Sequence, residues 1–107
     1  MLMITSGIGK HRVQLEQQRI GEDILLVLQG GEKPHIGSMI VCEPGKETRV
    51  VRLGSHKDYI VLEPLAVTAC EKYKTTVVAV GGIHIEQASQ KDIELVIRNC
   101  KELESCI

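Results

Sequence analysis

Apolar and polar positions change period along the chain. Between Lys10 and Ile20, Val13 and Leu15 alternate with Arg12, Gln14 and Glu16, which is strand period. Gly21-Glu22-Asp23 reads as a turn, and Asp23–Gln29 holds the run Ile24-Leu25-Leu26-Val27-Leu28, short enough for a buried strand. These two segments predict an antiparallel hairpin. Gly30 to Gly37 reads as a loop from its Gly and Pro content, followed by a strand at Ser38–Cys42, a turn at Glu43–Lys46 and a strand within Glu47–Leu53. Short turns between them predict a four-strand meander.

The period then lengthens. Leu62, Leu65, Ala66, Ala69, Cys70 and Tyr73 recur at spacings of three and four, as on one helix face. Pro64 is tolerated in a first helical turn and clashes further in, so a firm helix is expected from near Glu63, after an irregular lead-in from Asp58, to Lys72–Lys74. Thr75–Val80 is β-branched and reads as a strand, with Gly81-Gly82-Ile83-His84-Ile85 continuing or leaving it. Ser89 is a good N-cap with Asp92 three residues on, and Ile93, Val96, Ile97, Cys100 and Leu103 mark a second helical face. The order β-β-β-β-α-β-α predicts an α+β fold, a mainly antiparallel sheet of about five strands with two helices.

Composition narrows the function classes. At 107 residues the chain fits one domain, 1–107. A formal charge of −1 gives no phosphate footprint for nucleic acid, and two Tyr with no Phe or Trp give no base-stacking platform. No apolar run approaches the roughly 20 residues of a membrane span. The N-terminus lacks the basic and apolar regions of a signal peptide, and Cys42, Cys70, Cys100 and Cys106 are scattered, so free thiols in a cytoplasm are expected. Some 43 % hydrophobic residues suffice for an ordinary core without disulfides.

The candidate chemistry lies in three glycine-containing segments, each with a histidine: Gly30-Gly31-Glu32-Lys33-Pro34-His35-Ile36-Gly37, Gly54-Ser55-His56-Lys57-Asp58 and Gly81-Gly82-Ile83-His84-Ile85. Glycine lets backbone approach a ligand, and histidine supplies a donor, a ligand or a proton carrier near neutral pH. His35 precedes a predicted strand, His56 follows one and His84 ends another, so the three are expected to converge at one end of the sheet. No His pair has the spacing of a local zinc motif, so no metal is expected. Cys70 and Cys100 fall on apolar helix faces, where a thiol is ordinary packing. His11 falls on a polar strand face and is expected in solvent. Gly7-Ile8-Gly9-Lys10 lacks the spacing and ending of a phosphate loop.

In order and spacing, G-G-x-x-P-H-I-G, then G-x-H-K-D, then G-I-H-I before a short polar link and a helix, the chain resembles the prenylated-flavin chaperone family typified by LpdD, from about Val13 to Leu103. Ser55 departs from the glycine expected directly before His56. The resemblance implies a proteasome-assembly-chaperone-like α+β fold, usually dimeric. It also implies an accessory role: handling prenylated flavin mononucleotide, or maturing the UbiD-type aromatic acid decarboxylase that uses it. The cofactor-binding candidates so implied are Gly30, Gly31, His35, Gly37, His56, Lys57 and His84. Two other classes remain open. One is a small histidine-dependent enzyme, with Asp58 or Glu86 as its carboxylate; the other is a ligand-free assembly module that binds a protein partner.

Overall fold

Strand alternation and helix periodicity meet on one side of a single sheet. In the computed structural model, which describes residues 2–107, six strands form it: β1 (Leu2–Ser6), β2 (Val13–Ile20), β3 (Asp23–Gly31), β4 (Ser38–Cys42), β5 (Arg49–Arg52) and β6 (Val77–His84). Helix α1 spans Tyr59–Tyr73 and α2 spans Gln90–Ser105. The expected α+β class with two helices is present. Three details differ. A strand precedes the hairpin, giving six strands in the order β-β-β-β-β-α-β-α. The sheet is mixed, because β3 and β6 pair in parallel while the other neighbours are antiparallel. The meander is broken as well: the order is β1-β2-β3-β6-β4-β5, with β6 inserted between β3 and β4.

Small residues permit this insertion. Gly81 has φ 137°, and a Cβ there would lie 1.8 Å from the Leu28 carbonyl oxygen, so only glycine lets β6 follow β3 at this point. Val13, Leu15, Ile24, Leu26, Leu28, Ile40, Val77 and Ala79 are buried and pack with Leu62, Leu65, Ala66 and Ala69 of α1 and Cys100 and Leu103 of α2. The registers put Leu25, Val27, Val78, Val80, Met39, Val41 and Val51 together on the opposite face.

Helix α1 starts earlier than its proline predicts. It runs from Tyr59 with Pro64 inside, so the Ile60 carbonyl has no amide proton one turn on. Burial of Leu62, Leu65, Ala66 and Ala69 holds the turn, at about 1.5–3 kcal/mol for a leucine. Lys74, at φ 54°, closes the helix by donating its N–H to the Cys70 carbonyl. Helix α2 opens with a full capping box: Asp92 N–H donates to Ser89 Oγ at 3.1 Å, and Ser89 N–H to Asp92 Oδ2 at 2.9 Å.

The segment before β2 is a one-turn 3-10 helix, Gly9–His11. His11 is not in solvent on a strand. Its Nε2 lies 2.7 Å from Asp92 Oδ1, and Asn99 Nδ2 donates to its carbonyl at 2.8 Å, tying the turn to α2. Together with the N–H of Ser89, the His11 contact holds the Asp92 carboxyl far below the ordinary aspartate range. All four cysteines are free thiols. Burial pushes the Cys70 thiol up to about 11, with Cys42 beside it, and the Cys100 thiol up to about 12.

Candidate functional site

The insertion of β6 builds the site. To pass from β3 to β4 the chain must cross the end of β6, and residues 32–37 do so. Glu32 and Lys33 N–H both donate to the His84 carbonyl, at 2.8 and 3.2 Å, and Gly37 N–H donates to the Gly81 carbonyl at 2.9 Å. The crossing seats His35 over the end of β6. Gly82 leaves room for it, since a Cβ at 82 would lie 3.0 Å from both His35 Nε2 and the Gly37 nitrogen.

His56 arrives from the other side, in the connection from β5 to α1. Gly54, at φ 58°, makes the turn there, so Ser55 need not be glycine. Arg52 braces it by donating to the His56 carbonyl at 2.6 Å and the Ser55 carbonyl at 3.1 Å. The His35 ring centroid lies 4.5 Å from that of His56 and 6.1 Å from that of His84. Three segments far apart in sequence thus place their histidines at one end of the sheet.

A carboxylate joins them. Asp58 stands at the N-cap of α1, yet its side chain caps nothing. Oδ1 accepts the Ile83 N–H at 2.9 Å and Oδ2 lies 3.2 Å from His35 Nε2. On its other edge, His35 Nδ1 lies 3.3 Å from the Lys33 carbonyl oxygen. Further out, Lys33 Nζ donates to Glu86 Oε1 at 2.6 Å, and the same oxygen lies 3.5 Å from His84 Nε2. This exposed chain lowers the Glu86 carboxyl, through Lys33 first and His84 second, and raises Lys33.

Beside the cluster, between α1, the end of β6 and α2, lies a cleft of about 320 Å³. Its polar lining is His56, Lys57, Asp58, His84 and Asp92, and its walls are aliphatic, with Ile60, Ile83, Ile93, Val96 and Ile97 among them. Ile60 and Ile93 are 52 % and 44 % exposed, a large apolar surface left to water at the mouth. The volume falls at the lower end of the about 300–1,000 Å³ usual for small-molecule sites. Such a cleft suits a ligand with an apolar body and a polar end.

Not every expected residue belongs here. His35, Gly37, His56, Lys57 and His84 come together around the cleft and its rim. Gly30 does not: it faces Val13 across the hairpin and lines a separate depression with Arg12 and Pro34. Gly31 abuts His84 through backbone alone, where a Cβ would lie 2.4 Å from the His84 carbonyl oxygen. Asp58, named from the sequence only as a candidate carboxylate of a histidine-dependent enzyme and not among the cofactor-binding residues, stands inside the cluster. Ile93, Val96 and Ile97, read from the sequence as one apolar face of the second helix, line the cleft, and Val96 also packs against the core.

Known proteins share this pattern. The prenylated flavin chaperone LpdD-like domain matches residues 7–107. Protein LpdD of Lactiplantibacillus plantarum is 28 % identical over 98 residues, covering 87 % of this chain and 72 % of that protein. The chain belongs to the LpdD-like prenylated flavin chaperone family, whose members serve as accessory proteins.

Proposed function

We propose that this protein carries prenylated flavin mononucleotide for a UbiD-type decarboxylase, and that it works as a homodimer. The carrying observation is the apolar cleft with Lys57 and two histidines at its polar end. The residues present fit the group. Aliphatic walls from α1, β6 and α2 suit the ring system, and Lys57 with His56 and His84 offers donors for a phosphate. In this reading Ile60 and Ile93 cover the ring, the histidine end orients the phosphate, and the aliphatic walls keep water from one ring face. His35 touches the ligand less and positions more, since the crossing loop that carries it fixes the end of β6.

The homodimer rests on the uncovered sheet face. Leu25, Val27, Val78, Val80, Met39, Val41 and Val51 form an aliphatic stripe, flanked by Glu16 on one side and Arg49 on the other. A stripe with an acidic and a basic flank is self-complementary in a two-fold pair.

Co-expression with a prenylated-flavin synthase, followed by native mass spectrometry, tests the flavin reading. One flavin per chain is expected for the wild type, with clear loss in Lys57→Ala and His84→Ala. Wild-type protein free of flavin mass under these conditions overturns it.

A further inference from the structure

We infer that His35, His56 and Asp58 form a binding site for one divalent first-row transition ion, of the zinc or iron(II) class. The inference goes beyond the flavin reading and does not depend on it. No local His-x-His or His-Glu spacing announces the site, because its donors come from two segments brought together by the crossing loop and the lead-in to α1.

The donor geometry carries the argument. One ligand atom from each of the three residues lies within 4.8 Å of the others. His35 Nε2 and Asp58 Oδ2 are 3.2 Å apart. With zinc–ligand bonds of about 2.0–2.2 Å, two ligands on a tetrahedral ion stand roughly 3.3 Å apart. His35 Nδ1 faces the Lys33 carbonyl oxygen, and with the ring proton on Nδ1 the Nε2 lone pair faces a carboxylate oxygen. In that tautomer two electron-rich atoms face each other, an arrangement that a proton or a metal ion between them satisfies. A third donor, the exposed His56 ring, stands 4.5 Å from His35 by ring centroid, and three converging donors are more than a shared proton needs.

The surroundings are those of a metal site. A histidine ligand commonly donates its second ring N–H to a backbone carbonyl, and a carboxylate ligand is commonly held by a hydrogen bond. Lys33 O plays the first part, and Ile83 N–H, at 2.9 Å from Asp58 Oδ1, the second. Gly37 keeps the space between the donors clear: a Cβ there would lie 1.9 Å from Asp58 Oδ2 and 2.9 Å from His35 Nε2. Two imidazoles and one carboxylate leave coordination positions open, as in the two-histidine, one-carboxylate sites of zinc and non-haem iron. His56 and Asp58 also line the cleft, so an open position is accessible to an anionic ligand such as a phosphate oxygen.

The test needs no flavin. Chelator-stripped protein is titrated with Zn²⁺ by calorimetry and with Co²⁺ by visible absorption, and thermal midpoints are recorded with and without metal. Saturation at one ion per chain, a raised midpoint, and a d–d spectrum without thiolate charge transfer are expected. His56→Ala, on an exposed side chain, should weaken binding at least tenfold while folding normally, and Asp58→Asn should do the same. Cys106→Ser should bind as the wild type does. Absence of saturable binding, binding unaffected by His56→Ala, or a thiolate band overturns the proposal. Metal binding is read on flavin-free protein and flavin binding on co-expressed protein by native mass spectrometry, so the two readings fail separately.

Discussion

Asp58 Oδ2 lies 3.2 Å from His35 Nε2 while Asp58 Oδ1 accepts the Ile83 N–H at 2.9 Å. One carboxylate, with a side chain only 9 % exposed, therefore ties the start of α1 to the edge of β6 and to the loop that crosses it. Packing brings these three pieces near one another; Asp58 sets their relative positions at the site.

Removing the carboxylate should cost both order and stability. Asp58→Ala leaves the Ile83 N–H unpaired and should destabilise the fold by about 1–3 kcal/mol. Asp58→Asn retains a carbonyl oxygen for that N–H and should lose clearly less. Urea unfolding of the two variants checks the order, and equal losses would show that the Ile83 bond carries no weight.

Two glycines should separate fold from site. Gly81→Ala puts a Cβ 1.8 Å from the Leu28 carbonyl oxygen at φ 137°, against backbone that cannot give, and should cost about 3 kcal/mol or more. Gly37→Ala meets the Asp58 side chain, which can swing away. That variant should stay folded with the His35–Asp58 contact broken, visible as moved His35 ring resonances in NMR. Unfolding midpoints complete the comparison.

Acid should weaken the clamp between α2 and the Gly9–His11 turn. The folded-state pKa of Asp92 is lowered, by His11 first and the Ser89 N–H second. A lowered carboxyl contributes stability that is fully present above its unfolded value, near 3.9, and fades as pH falls from there toward the folded value. The stability gap between wild type and Asp92→Asn should thus be full at pH 7 and shrink below about pH 4. Denaturation of both proteins at pH 7, 4 and 3 measures it; a gap that widens on acidification would contradict the sign.

Thiol reactivity should follow burial. Cys70 and Cys100, raised to about 11 and about 12 in the packed interior, should resist iodoacetamide at pH 8 in the native state. Cys42 is buried beside Cys70, and Cys106 is exposed. Mass spectrometry should find one rapid adduct, at Cys106, and four after denaturation. Fewer than four would indicate a disulfide.

The aliphatic stripe on the open sheet face should govern assembly. Val80→Glu places a charge in its centre and should turn the proposed dimer into a folded monomer by light scattering with unchanged circular dichroism. Wild-type protein that stays monomeric at high concentration would rule out the dimer.

Local sequence determined the elements wherever a residue's neighbours along the chain decide its state. The alternation of Val13 and Leu15, the apolar run at Ile24–Leu28 and the Ser89–Asp92 pair sufficed for β2, β3 and the start of α2, because strand period, short apolar runs and capping are near-neighbour effects. The order of the three histidine segments likewise pointed to the family. Pro64 misled, since its local cost is outweighed by burial of the α1 face against a sheet the sequence does not display. The strand order was decided only in three dimensions: that β6 lies between β3 and β4 depends on the close approach of Gly81 to Leu28, a contact 53 positions apart in the chain. The role of Asp58 followed from the same insertion. A residue of the lead-in to α1 became the carboxylate of the histidine cluster because the backbone of Ile83 and the ring of His35 were delivered to it by β6 and by the loop that must cross its end.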